Sequence, residues 1–203
     1  ITTNCNPPVA VTLPYIQNFE SIGNGTATGG ARIDCSPDAN IDVVTSNANG
    51  RVRWGTDAVT ALTGSGALTF DCSAFTTPAV TNELIFTVNM SDYFGSAEIE
   101  LLFDYMDHGD ENEGPDSVYV RGSASDNWIQ IYDLDPDNQT NGTTISVGPL
   151  DIDSALSANS QSLGADFQLR FTQTENTTAG STTFTDGITF DNIVIRETPT
   201  CVV

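Results

Sequence analysis

The sequence predicts an all-β chain built as two packed antiparallel sheets with very little helix. Three observations carry this expectation. Apolar and polar residues alternate with period two in one segment after another, turn residues recur about every eight to twelve positions, and almost no stretch repeats its apolar residues at helical spacing. In AEIELLFDYM, Ile99, Leu101, Phe103 and Tyr105 share one face, while Glu98, Glu100 and Asp104 share the other. In FQLRFTQ, Phe167, Leu169 and Phe171 point one way and Gln168, Arg170 and Thr172 the other. A segment of this kind is a strand with one face in a core and one towards solvent.

The same texture marks ALTF (67–70), NELIFTVNM (82–90), DSVYVRG (116–122), NWIQIYDL (127–134), TTISVGPL (143–150) and GITFDNIVI (187–195). Only DIDSALSANSQSL (151–163) offers a helix, and its Ser and Asn side chains compete for the helix's own hydrogen bonds, so at most one short helix is expected there. Roughly ten strands, each with one apolar face, bury those faces by stacking two sheets. The Pro- and Thr-rich stretch 1–14 and the closing residues 197–203 read as linkers around a single domain spanning 15–196.

Composition narrows the partners. With 38% hydrophobic residues and ten Phe among 203 residues, a sizeable core can be buried. Against 27 acidic side chains stand six basic ones, all Arg, for a net charge of -21. That field repels phosphate backbones and anionic lipid, which argues against nucleic acid and membrane surfaces as ligands. No apolar run approaches the roughly 20 residues of a membrane helix. The cysteines Cys5, Cys35, Cys72 and Cys201 lack the close pairs of zinc or redox motifs. Disulfides Cys35–Cys72 and Cys5–Cys201 are expected, and with them an oxidising, extracellular location. By loop entropy the first bridge contributes about 4 kcal/mol.

In their order and spacing, NFES around Glu20, the early Trp54, GSGALTF, ELLFDYMDHG, SVYVRG, NWIQIY, FQLRFTQTEN and DGITFDNIVI resemble the MAM domain and the related jelly-roll modules of secreted bacterial adhesins and carbohydrate-binding modules. The resemblance covers residues 15 to 196. It implies a jelly roll in which the first strand's Glu20 and the last strand's Asp191 hold a calcium ion, with Asp71 or Asp34 as further ligands. Calcium takes six to eight oxygens, which distant segments supply only once the sandwich closes, so binding and folding are coupled. The plainer alternative makes Glu20 and Asp191 caps of strand ends.

Other carboxylates crowd together. Asp107, Asp110, Glu111 and Asp116 belong to an acidic loop around Gly109 and Gly114, which forms either a second cation loop or an ordinary solvated one. Asp133, Asp135 and Asp137 have the opening spacing of a calcium loop, but Asn138 and Thr144 break the pattern, and a hairpin turn fits better. Glu98, Glu100 and Asp104 share a strand face at a separation that can suit paired-carboxylate hydrolysis, but without the array of jelly-roll glycanases. His108, the one histidine, has no accompanying nucleophile motif, so no catalytic residues are expected.

A ligand face is the remaining candidate. Tyr119, Arg121, Tyr132 and Arg170 fall on polar-face positions of the central strands, with Trp54 and Trp128 near strand starts. Aromatic and Arg side chains on a sheet can stack on and hydrogen-bond to sugar rings, or both Trp can fill the core. The expected function is a non-catalytic, extracellular, calcium-binding module. It would serve cell-surface adhesion or act as a structural repeat of a surface protein or filament, with a surface glycan, a protein or neighbouring modules as partners. The alternative is a carbohydrate-binding module of a secreted multidomain glycan-degrading enzyme.

Overall fold

A computed structural model describes residues 8–21, 23–28, 38–95, 98–109, 114–134, 141–177 and 186–198. Among them are twelve strands: β1 (Tyr15–Gln17), β2 (Gly25–Thr28), β3 (Ile41–Thr45), β4 (Gly50–Gly55), β5 (Ala67–Cys72), β6 (Val80–Val88), β7 (Ile99–Asp107), β8 (Ser117–Arg121), β9 (Ile129–Asp133), β10 (Thr144–Asp151), β11 (Phe167–Glu175) and β12 (Ile188–Glu197). They form two antiparallel sheets of the jelly-roll class. One runs β10-β7-β12-β5-β4-β2 with β1 also on β12, and the other runs β3-β6-β11-β8-β9. The short helix α1 (Ile152–Ala158) lies within the 151–163 stretch, where the Asp151 carboxylate accepts from Ser154 N and caps it. Val9–Val11, inside the stretch read as a linker, bonds to the domain. Val9 N donates to Ala39 O, Val11 N to Thr87 O, and Asn89 N to Val11 O.

The alternation in the sequence is the alternation in burial. Ile99, Leu101, Phe103 and Tyr105 of β7 and Phe167, Leu169 and Phe171 of β11 are all buried in one core between the sheets. Phe171 joins the two layers. Its ring lies 5.2 Å from Phe103 and 5.0 Å from Phe190 of the opposite sheet, and 6.1 Å from Phe86 of its own. Edge-on and tilted contacts of this kind add to the area buried by each ring.

β12 organises the larger sheet. β7 flanks it along one side, while on the other side β5 pairs with Ile188–Phe190 and β1 with Ile193–Ile195. Between the two pairings the ladder shifts register at Asp191–Val194, and Asn192 takes φ 51°. A bulge lets β12 change partner without reversing which side chains meet the core: Phe190 and Ile193 are both fully buried.

The outer faces of the two sheets differ. Over the larger sheet, the segment following β4 is tied down, with Val59 N donating to Thr69 Oγ1 and Thr63 N to Asp191. β5 is consequently buried on both sides. Over the smaller sheet no such strap lies across β11 and β8 among the described residues, and Tyr119, Arg121 and Arg170 keep partial access to solvent.

Candidate functional site

Glu20 and Asp191 converge on one loop. The Glu20 carboxylate accepts from Ser65 N at 2.7 Å, Ser65 Oγ at 2.7 Å and Gly66 N at 2.9 Å. Asp191 Oδ2 accepts from Thr63 N at 2.9 Å and Thr63 Oγ1 at 3.0 Å, and its Oδ1 from Asn192 N at 2.7 Å. The bonds from Gly66 N and Ser65 hold the Glu20 carboxyl below its usual range. Burial pushes Asp191 up, with Asp104 across the ladder adding to the effect. Asp104 itself accepts from Ser146 Oγ and Asn192 Nδ2. The loop is shaped to admit these carboxylates: Gly64 has φ 59° and a Cβ there would meet Glu20 Oε1 at 2.1 Å, while one on Gly66 would meet Phe19 O at 2.7 Å.

This arrangement is a clamp closed by the protein's own donors. The carboxylate oxygens face N–H and O–H donors, which a cation would have to displace. Among the described residues no group of three or more His, Cys, Asp or Glu is arranged to hold a metal ion. Asp71 does not join the pair. It lies four residues along the ladder from the Asp191 position, fully buried, with Arg51 and Arg53 both bonded to its carboxylate. Asp34 lies outside the described residues. Melting with and without EGTA tests the calcium expectation: a fall of several degrees in EGTA supports a bound ion, and an unchanged midpoint leaves the clamp closed by the protein's own donors alone.

The acidic loop is only partly described. Asp110 and Glu111 lie outside the described residues, as do Asp135 and Asp137. Asp107 is buried and accepts from Gly109 N, and Asp116 is buried with its Oδ1 accepting from Thr174 N at 2.6 Å. These two therefore lie buried where the loop joins the fold. Both disulfide expectations involve undescribed residues (Cys5, Cys35 and Cys201). Cys72 is buried, its Sγ donating to Ala74 O, and burial raises its thiol pKa.

The carboxylates of β7 hold structural partners. Glu100 pairs with Arg196 across the ladder at 2.7 Å, and Asp104 has the two bonds given above. His108 Nε2 lies 2.8 Å from Thr189 Oγ1, and burial lowers its pKa.

Four of the six predicted ligand-face residues come together on the outer face of the smaller sheet. Tyr119 of β8 sits opposite Arg170 of β11, whose guanidinium lies 4.5 Å from the tyrosine ring centroid and 4.3 Å from that of Trp128. Arg121 lies over the same indole at 4.2 Å. Arg170 pairs with Glu83 of β6 at 2.9 Å. The Arg121 guanidinium donates through Nε to Gln168 Oε1 at 2.8 Å, through Nη2 to the same oxygen, and through Nη1 to Asp126 O at 3.4 Å. Burial lowers the pKa of both arginines, which stay charged at any ordinary pH. Gln161 braces the loop that carries Trp128, accepting from Gly122 N and donating to Asn127 O. Gln168, Glu83 and Gln161 were not singled out from the sequence, although the alternation in FQLRFTQ already puts Gln168 on the face of Arg170.

Trp54 and Tyr132 require correction. Trp54 is in the core, its indole so close to Gly25 that a Cβ there would meet it at 2.3 Å. Tyr132 packs on Phe103 at 5.7 Å and Tyr105 at 6.1 Å, towards the opposite sheet. The cause is a shift in the β8–β9 register: Tyr119 faces Gln130, but Val118 faces Tyr132. One extra residue reverses the faces that follow it, so Tyr132 takes the core side of Val118.

Fold and site together define a two-sheet β-sandwich with a cationic, aromatic patch on an otherwise acidic molecule. No family model matches the chain, and no curated protein does. Solved structures resemble it. The CBM22-2 xylan-binding domain from Paenibacillus barcinonensis Xyn10C is 11% identical, with 91% of this chain and 99% of that one covered at a TM-score of 0.44. The CBM22-1–CBM22-2 tandem from the same protein is 12% identical at a TM-score of 0.43 over 94% of this chain, which spans 47% of the tandem. The Stig cyclase Fisc from Fischerella sp. TAU is 15% identical at a TM-score of 0.41, with 91% of this chain and 89% of that one covered.

Proposed function

We propose that the chain is a non-catalytic, extracellular β-sandwich module that engages a glycan through the outer face of its smaller sheet. The observation that carries this reading is the contiguous array Tyr119–Arg170–Trp128–Arg121, held half-exposed on adjacent strands and a braced loop. Guanidinium groups fixed by aromatic rings and by Gln168 are preorganised donors, and such groups lose little freedom when a ligand docks. The acidic, Lys-free composition supports an extracellular setting. In such a setting the module serves a surface protein in adhesion, or targets a linked enzyme to its polysaccharide. Neighbouring sequence separates these two uses, because tandem copies indicate the first and an adjacent hydrolase the second.

Isothermal titration against a panel of soluble polysaccharides tests the reading. At least one member binds the native protein, and Trp128→Ala weakens that binding tenfold or more while leaving the far-ultraviolet spectrum unchanged. Absence of heat across the panel, or binding indifferent to Trp128, overturns it.

A further inference from the structure

The arginines of this chain are not used evenly. Arg51 and Arg53 share Asp71, Arg196 has Glu100 and Arg170 has Glu83. Among the described residues Arg121 alone lacks a carboxylate within ion-pair distance, and its bonds go to the neutral oxygens of Gln168 and Asp126 O. Asp126 and Asp166 are near enough to act on it electrostatically but do not pair with it, and Asp166 Oδ2 is taken by Ala124 N. The ladder places Arg121 one alternate position from Tyr119, and Trp128 brings the Arg121 and Arg170 guanidinium groups over one ring. Of the two guanidiniums over the indole, Arg170 has a paired carboxylate and Arg121 has none among the described residues. An indole already serving two guanidiniums is also poorly placed to act as an open stacking platform for a neutral pyranose.

We infer, building on the glycan reading above, that this face selects a sugar bearing a carboxylate, the uronate class, with the carboxylate docking on Arg121 beside Trp128. A guanidinium presents parallel N–H donors that match the two oxygens of a carboxylate. The net charge of -21 does not forbid this. At physiological ionic strength fields decay over about 8 Å, so an acidic sugar unit at the patch responds mainly to the arginines it touches.

The test compares oligogalacturonate with its fully methyl-esterified counterpart, equal in backbone and length, by titration and by Trp emission on the native protein. The acid binds at least tenfold more tightly than the ester and weakens as salt is raised. Arg121→Gln removes that preference, and Arg121→Lys restores part of it. Equal affinity for acid and ester overturns the uronate assignment while leaving the glycan face standing. Failure of both to bind, where another polysaccharide does, also overturns the assignment, and failure of every glycan sinks the wider reading with it. Tighter binding of a poly-aspartate peptide than of oligogalacturonate overturns the inference in favour of an acidic protein partner.

Discussion

Phe171→Ala is expected to cost about 3 to 5 kcal/mol, the range for deleting a fully buried aromatic ring. The loss falls at the upper end if the neighbours cannot close in. Phe103 and Phe190 belong to one sheet and Phe86 to the other, so collapse around the gap would have to draw two ladders together. For a chain of this size the melting midpoint drops by roughly 6 to 20 °C. Chemical denaturation of Phe171→Ala beside Phe171→Leu measures it: leucine recovers most of the loss. A cost below 1 kcal/mol for alanine would mean that the sheets repack freely there.

Asp71→Ala is expected to be nearly as damaging, at about 3 kcal/mol, because it leaves two arginines against a buried surface without their carboxylate. The side chains of Arg51 and Arg53 are 22% and 19% exposed, so water offsets part of the loss and keeps the value at the lower end of the range for broken buried pairs. A double-mutant cycle separates the terms. With Arg51 and Arg53 already changed to methionine, removing Asp71 costs far less. If the cost is unchanged, the carboxylate matters through Asn82, whose Nδ2 donates to Asp71 O, or through packing, and not through its charge.

The strands from β5 onward were legible because each is five or more residues long and carries apolar residues at alternate positions over part of its length, and β7 and β11 place every predicted core residue in the core. β1 to β4 were harder to read. β1 has three residues and β2 is GTAT, with no large apolar side chain to mark a face, although IDVVT and RVRW do alternate and could have been read as strands. Tyr132 was misplaced because a bulge changes parity without any Gly or Pro to announce it. Glu20 and Asp191 both bond to the loop 63–66, through backbone N–H groups of Thr63, Ser65 and Gly66 that side-chain chemistry alone does not reveal. The signal was present in GSG at 64–66, where small residues make room for a carboxylate and a carbonyl. Asp71 looked available as a ligand because its two arginines lie about twenty positions earlier, in a strand the sequence had not marked.

The place of β12 also bears on how the molecule comes into being. A chain made from its amino end has β1, β5 and β7 in hand long before residues 188–197 exist, yet all three meet only on that strand. Until it arrives, β1 has no ladder partner and the apolar sides of β5 and β7 lie on separate ribbons. Long-range pairings of this kind form late and slowly, and the waiting edges are where misassembly starts. The GSG loop and the kink at Asn192 thus act as a latch that closes at the end of assembly. A nascent chain halted before Ile188 would hold all the strands of the smaller sheet but only two unjoined ribbons of the larger one, β10–β7 and β5–β4–β2.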